Sequence, residues 1–265
     1  MQVRRPPFDF TGINPLWGGD IAAVHMINAL GIVPAFVEPF LIKVMQRAKE
    51  KLDPISDAGL IRDIEVFNKQ EAQHFKFHVA LNRWIREHGY ERMEQYERKY
   101  AAEYEQMLSS RSLLWLLSYC EGFESMGLAS ASAFVDGGIE EMLPDADPRP
   151  IALWRWHLAE EYEHRTVAFR TLKAVCGENP WTFYWVRIRG LLYASHHIGS
   201  TVRGLHRYLV EVDGSAGPKR PRLRSSARML GRRSSGLFGV LSPHYDPALV
   251  PPPKRLSEIL SWAER

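Results

Sequence analysis

The stretches Glu71-Ala-Gln-His74-Phe-Lys-Phe-His78 and His157-Leu-Ala-Glu-Glu161-Tyr-Glu-His164 repeat one kind of pattern at two distant places in the chain. On an α-helix, residues three and four positions apart lie on the same face. Each stretch therefore presents a carboxylate and two imidazoles along one stripe. Iron, manganese and zinc take such side chains as ligands. The pattern predicts two helices that contribute to a shared metal site.

Two further glutamates lie in apolar surroundings, where an unpaired carboxylate is costly to bury. Glu38 is the only acidic residue between Asp20 and Lys49, and Glu121 follows the largely apolar run 113–120. A bound cation would offset the cost of burying them. Glu124 lies one helical turn after Glu121 and shares its face, so it is the alternative ligand or a base that assists catalysis.

Two helices that carry Glu-x-x-His, together with one glutamate from each of two other helices, form the ligand set of ferritin-like dimetal carboxylate bundles. Within the second stretch, Glu160 lies about as close to the stripe as Glu161, but the Glu-x-x-His spacing favours Glu161 as the ligand. His78 is either a ligand or a support for one. We assign catalytic roles to Glu124, Glu160 and Tyr119, the last as an electron relay. The predicted metal ligands are Glu38, Glu71, His74, Glu121, His157, Glu161, His164 and His78.

The pattern of the whole chain predicts an all-α protein. Helical segments are expected at about 34–52, 56–88, 92–108, 112–138, 150–175 and 181–212, and a short last one at 256–264. Residues 1–19 form an N-terminal extension, 20–212 the ferritin-like helical domain, and 213–265 a basic linker with a proline-rich, irregular tail. The aromatic and basic segment 181–212 is read as an extra helix that caps the bundle, with a position on a membrane surface as the alternative.

Charge and cysteine content restrict the setting and the partners. The net charge is +3, but residues 214–233 carry seven basic residues and no acidic one. The two cysteines show no metal-binding or disulfide spacing, which favours a reducing, cytoplasmic compartment. No stretch reaches the roughly 18 uncharged apolar residues of a membrane span, so none is expected. Nucleic acid is a less favoured partner for the basic segment than an acidic protein.

With these residues assembled, the chain resembles a bacterial family described as predicted metal-dependent hydrolases, which is placed among ferritin-like folds. The resemblance covers residues 10–212 and is strongest at 70–78 and 154–164. The ligand spacing is also similar to that of di-iron arylamine N-oxygenases, whose additional histidine lies four residues before the last glutamate, as His157 does here. In that comparison Glu121-Gly-Phe-Glu124-Ser lacks the histidine and threonine expected after the glutamate.

Three functions fit these observations. The first is an O2-activating dimetal oxidoreductase with two metal ions, iron before manganese or zinc, acting on a small organic substrate. The second is a dimetal hydrolase, as the resemblance implies. The third is a metal-binding or membrane-surface protein without catalysis. The candidate partners are the small-molecule substrate, an acidic electron-transfer protein, a second copy of the chain and a membrane surface.

Overall fold

The computed structural model describes residues 1–214 and 238–264, and all regular secondary structure within them is helical. This confirms the all-α prediction. The irregular tail contains one short 3-10 helix, Pro247–Leu249. In chain order the helices are α1 (Ile21–Leu30), α2 (Ile32–Lys49), α3 (Ala58–Glu87), α4 (Met93–Ser110), α5 (Leu113–Val135), α6 (Gly138–Met142), α7 (Pro148–His164), α8 (Val167–Cys176), α9 (Pro180–Asp213) and α10 (Leu256–Ala263).

Four helices, α2, α3, α5 and α7, enclose the centre of the bundle. Helix α2 packs along α3, while α5 lies between α7 and α9. Their inward faces carry fully buried aliphatic side chains such as Val37, Ile64 and Leu116. Burial of these apolar faces provides the main stabilisation of the helices. The same inward faces carry the glutamates and histidines that the sequence marks as metal ligands, with the exception of Glu121.

Most helix bounds agree with the sequence pattern, but the predicted helix 150–175 is divided. Helix α7 begins at Pro148, where Asp147 accepts a hydrogen bond from the backbone of Arg149. Proline is compatible with this first turn because its missing N–H has no intrahelical partner there. Helix α7 ends at His164, and α8 starts at Val167. His164 is therefore the last residue of its helix.

The terminal segments cover the bundle. In the predicted extension 1–19, Phe10, Ile13 and Trp17 are buried, and the indole of Trp17 donates a 2.7 Å hydrogen bond to Asn28. At the other end, α10 packs against α7. The predicted basic linker 214–233 lies outside the described residues from position 215 onward.

Helix α9 has one buried and one exposed side. Its buried stripe, which includes Leu191, Ala194 and Leu205, lies against α5 and α1, while Trp181 and Trp185 are exposed. This packing agrees with a helix that caps the bundle. The membrane-surface contact of the exposed side stays a prediction.

One apolar stretch is longer than the sequence pattern indicates. The stretch Ile21–Lys49 is long and apolar enough to cross a membrane by length and composition, and its most apolar 18-residue window has a mean hydropathy of 1.6. In the fold, 72% of the most apolar window is buried against other helices. A buried core helix has this composition for the same physical reason that a membrane span does, so the stretch is weak support for a span.

Candidate metal centre

Seven buried side chains from four helices converge at the centre of the bundle. Helix α2 provides one glutamate, α3 a glutamate and a histidine, α5 a glutamate, and α7 a glutamate and two histidines. None is more than 4% exposed. They are Glu38, Glu71, His74, Glu124, His157, Glu161 and His164.

Six of these residues form two overlapping groups of potential ligand atoms. One group contains Glu38 and His157, and the other contains Glu71 and His164. Both groups also contain His74 and Glu161, and within each group the ligand atoms lie within 4.8 Å of one another. His74 and Glu161 therefore lie between two neighbouring four-residue sites.

The short distances within the cluster join imidazole nitrogens to carboxylate oxygens. The Nε2 atom of His157 lies 2.9 Å from Oε1 of Glu161 and 3.2 Å from Oε1 of Glu38. At the opposite end, Nε2 of His164 lies 3.1 Å from Oε1 of Glu71. The nitrogens and carboxylates thus face common points, as the ligands of a metal ion must.

Glu124 adds a further carboxylate at the His164 end of the cluster. Its Oε2 atom lies 3.3 Å from Nδ1 of His164. Both ring nitrogens of His164 therefore face a carboxylate, one from α3 and one from α5.

Although some of them lie close to an atom of opposite charge, many polar atoms of the cluster form no hydrogen bond. Both carboxylate oxygens of Glu38, Glu71 and Glu124 lack one, as do Nδ1 of His74 and both ring nitrogens of His164. Buried polar atoms without partners are rare because each forfeits its interaction with water. A metal ion would coordinate carboxylate oxygens and one ring nitrogen of each histidine here, so the residues present fit a bound metal.

The carboxylates of the cluster repel one another in the absence of a cation. Burial raises the pKa of Glu38 well above its ordinary value, and the neighbouring carboxylates of Glu71 and Glu161 raise it further. Burial, followed by the charge of Glu161, raises the pKa of Glu124 in the same way. Metal binding would therefore displace protons from these side chains.

Glu160 lies behind His74, away from the two groups. Its Oε2 atom is 3.0 Å from Nε2 of His74, while Nδ1 of His74 faces Glu71 and Glu161 at 3.8 and 3.9 Å. Burial lowers the pKa of His74, but the contacts with Glu160 and Glu71 outweigh it and raise the pKa to about 9. A carboxylate on the far nitrogen fixes the tautomer and orientation of a ligand imidazole.

Arg4 from the N-terminal extension holds Glu160 in place. Its guanidinium donates a 3.0 Å hydrogen bond to Oε1 of Glu160 and further bonds to Glu163 and Glu264. The chain of contacts runs from the surface through Arg4 and Glu160 to His74. Sequence reasoning missed Arg4 because nothing in a single sequence distinguishes this buried arginine from the exposed ones.

His78 has an equivalent position behind His157. Its Nε2 atom lies 2.9 Å from Nδ1 of His157, whose Nε2 faces the cluster. His78 belongs to neither group of ligand atoms. The structure therefore places it as a support for His157, which is one of the two roles that the sequence allows.

Neither glutamate of α5 belongs to the two groups, but Glu124 contacts His164, whereas no such contact joins Glu121, the predicted ligand, to the cluster. Glu121 accepts a 2.8 Å hydrogen bond from Ser125. The rotation of α5 explains the difference: a Cβ atom on Gly122 would lie 2.7 Å from the backbone of Leu191 in α9. This close contact turns Gly122 toward α9, and Glu124, about 200° further around the helix, toward α7.

Tyr119 belongs to a separate buried network. Its hydroxyl lies 2.7 Å from that of Tyr104 and 2.9 Å from Nδ1 of His197, whose Nε2 contacts Glu103. The Tyr119 ring also packs edge-on against Phe40. None of these contacts is with the metal cluster, and the electron-relay role of Tyr119 stays a prediction.

The two glutamates of α5 are expected to differ in metal binding. Glu124→Gln removes a carboxylate that faces His164, whereas Glu121→Gln alters a side chain outside the cluster. We expect Glu121→Gln to keep the metal content of the natural protein and Glu124→Gln to lower it. Elemental analysis of both purified variants tests this. Metal loss in Glu121→Gln alone would contradict the assignment.

Glu121 is also expected to govern a pH dependence of stability. Burial raises the pKa of Glu121 to about 7 in the fold, from 4.5. The folded protein therefore favours the protonated carboxyl group of Glu121. Its contribution to the free energy of unfolding is lost as the pH rises from about 4.5 through about 7. Glutamine stays neutral, so Glu121→Gln should be about 3 kcal/mol more stable than the natural protein at pH 8. Denaturation of Glu121→Gln and of the natural protein should show a smaller stability gain at pH 5 than at pH 8. Equal stability of the two proteins at pH 8 would refute the prediction.

Arg4 and Glu160 are expected to strengthen metal binding without contacting the metal. Residues that orient a ligand histidine in this way typically change metal affinity by about 10- to 100-fold. We expect Arg4→Ala and Glu160→Gln to raise the metal Kd within that range. Arg98→Ala, which removes an exposed pair with Glu94, is the control. Unchanged affinity in both variants would exclude the positioning role.

A family model described as "Predicted metal-dependent hydrolase" matches residues 2–250. No curated protein and no solved structure matches the chain. The matched range includes helices α1 to α9, Arg4 and all seven residues of the cluster. Because the match spans nearly the whole chain, and the buried carboxylates and imidazoles fit a metal, the protein belongs to the predicted metal-dependent hydrolase family.

Proposed function

We propose that the protein is a dimetal carboxylate enzyme with a ferritin-like core, which binds two iron ions and uses O2 to oxidise a small organic substrate. The observation that supports it is the arrangement of the cluster as two adjoining groups that share His74 and Glu161. Glu161 has two carboxylate oxygens and could contact an ion in each group, whereas the single free nitrogen of His74 would bind only one ion.

The charge of the cluster supports two divalent ions. When ionised, the four carboxylates Glu38, Glu71, Glu124 and Glu161 carry four negative charges, which two divalent cations would balance. A single ion would leave an uncompensated charge in a buried site, and that is costly. Three neutral imidazoles complete a set of seven ligand residues.

In this proposal the protein holds, orients and shields the metal ions. Bound iron would supply the redox chemistry needed to reduce O2. Glu160 and His78 fix the orientation of His74 and His157. The apolar side chains around the cluster exclude water. The electrons would come from a reductase or ferredoxin, and we propose that an acidic carrier docks on the basic segment 214–233.

The family description favours a second candidate, a dimetal hydrolase. It supports hydrolysis more directly than any comparison with known proteins supports an oxidoreductase. Two metal ions generate a hydroxide nucleophile and neutralise charge on an ester or phosphate. The arrangement of Glu38, Glu71, His74, Glu124, His157, Glu161 and His164 suits this chemistry as well. The likeness to arylamine N-oxygenases rests on ligand spacing alone.

Metal identity and O2 consumption distinguish the two candidates. The protein is purified from iron-replete cells, analysed for metals, reduced, and mixed with O2. Two irons per chain and O2 uptake beyond that of a Glu161→Gln control support the oxidoreductase. Zinc or manganese, no O2 uptake and metal-dependent cleavage of 4-nitrophenyl esters or phosphodiesters would overturn it in favour of the hydrolase.

A further inference from the structure

A cleft between the helices reaches the metal cluster at one end. It is bounded by α1, α2, α5, α7 and α9, and its inner end is formed by His157 and Glu161. Both of these residues are buried, whereas Leu30 and Met126 at the other side of the cleft are half-buried. The cleft therefore runs from the surface inward to the side chains proposed as metal ligands.

The walls of the cleft are almost entirely apolar. Phe123, Phe134 and Trp154 provide aromatic surfaces, and Val33, Pro34, Leu158 and Ile198 provide aliphatic ones. Aromatic walls favour flat apolar molecules through stacked and edge-on contacts. Among the described residues, no lysine or arginine lines the cleft.

The few polar groups of the cleft do not suit an anion. Ser130 already donates its hydroxyl hydrogen to the carbonyl of Met126 at 2.9 Å. In the part of the chain that the structure describes, the ionisable residues that line the cleft are His157 and Glu161, which belong to the cluster. A carboxylate or phosphate in the cleft would lose its water without gaining a charged partner from the walls, and this is costly.

The size of the cleft limits its occupant. It offers about 100 Å³ of space and is open to the surface, whereas a closed apolar cavity of about 150 Å³ in another protein takes up one benzene molecule. An occupant larger than one ring would therefore extend toward the surface. Gly127 lies at the inner end, where an added Cβ atom would be 3.2 Å from Oε2 of Glu161. The glycine thus keeps space beside a central residue of the cluster.

We propose that this cleft binds an uncharged, mainly apolar molecule of about one aromatic ring, placed against His157 and Glu161. This inference rests on the proposed function in that the molecule is taken to be the substrate of the metal centre. The apolar walls disfavour free carboxylates and phosphate esters. The binding itself requires neither oxidation nor hydrolysis.

Binding of indole and benzoate to the full-length metal-loaded protein tests the proposal. The two probes have similar size, but only benzoate is charged. Titration calorimetry should show indole binding at least about tenfold tighter than benzoate, a difference of about 1.4 kcal/mol. Equal or tighter binding of benzoate would overturn the proposal.

Two variants of α5 provide a matched comparison. Ser130→Phe fills the cleft, whereas Ser132→Phe adds the same ring two residues away at an exposed position. We expect Ser130→Phe to weaken indole binding at least tenfold while the metal content is kept, and Ser132→Phe to change neither. Unaltered indole binding by a metal-loaded Ser130→Phe would contradict the proposal.

A variant that enlarges the cleft guards against a folding defect in Ser130→Phe. Met126→Ala removes a half-buried side chain from its wall and should improve binding of naphthalene, which is larger than indole. Unimproved naphthalene binding would count against the cleft as the site. If indole binds as expected but neither O2 uptake nor hydrolysis is found, the proposed function is contradicted, whereas the binding of apolar molecules in the cleft is supported.

Discussion

Glu161→Gln is expected to remove both metal ions, whereas Glu38→Gln is expected to remove one. Glu161 belongs to both groups of ligand atoms, and Glu38 belongs to only one. The two substitutions are chemically identical and both positions are buried. From about two ions per chain, as in dimetal carboxylate bundles, Glu161→Gln should retain almost none and Glu38→Gln about one. Elemental analysis together with protein quantification measures this.

The histidines provide an independent version of this comparison. His74 belongs to both groups, but its Nε2 atom faces Glu160, so only Nδ1 could bind a metal, and one nitrogen binds one ion. His74→Ala and His164→Ala should therefore each resemble Glu38→Gln in metal content. If Glu38→Gln, His74→Ala and His164→Ala each lost all metal while Glu161→Gln kept it, the shared position of Glu161 would be wrongly assigned.

Removal of the metal ions is expected to lower the thermal stability of the protein strongly. A ligand present at 1,000 times its Kd stabilises the folded state by about 4 kcal/mol. For a chain of this size, 1 kcal/mol corresponds to roughly 2–4 °C, so chelation should lower the Tm by about 8–16 °C. Restoring the metal should restore the Tm. A Tm unaffected by chelation, with metal loss verified, would contradict a metal bound at the centre of the fold.

The size of this stabilisation should depend on pH. In the metal-free protein, burial and neighbouring carboxylates raise the pKa of Glu38 and Glu124 above the ordinary 4.5. Groups with raised pKa values stabilise the fold below their unfolded pKa, and that contribution is lost as pH rises. The metal-free protein should therefore weaken from pH 5 to pH 8, while the metal-loaded protein should lose less stability and keep only the pH dependence due to Glu121.

The helices and most of the cluster could be predicted from the sequence because they depend on local periodicity. The spacings Glu71–His74 and His157–Glu161–His164 place their side chains on one face of any helix, whatever its neighbours. Glu38 could be found because a lone acid in an apolar run is costly to bury unless a cation or a charged side chain binds it. These inferences need no knowledge of how the helices pack.

The choice between Glu121 and Glu124 could not be made in this way because it depends on the rotation of α5 around its axis. That rotation is set where Gly122 and Gly190 bring the backbones of α5 and α9 together, a contact 68 positions apart in the sequence. The role of Arg4 could not be predicted either, because its partners Glu160 and Glu264 are distant in the chain. Long-range packing decides both, and a single sequence does not reveal it.

Anomalous diffraction from crystals of the metal-loaded protein tests the central claim most directly. Data collected above and below the metal absorption edge locate each ion independently of the protein coordinates. We predict two peaks, one between Glu38 and His157 and one between Glu71 and His164, both next to His74 and Glu161. A single peak, or ions bound at Glu121 or Glu160, would contradict the dimetal assignment.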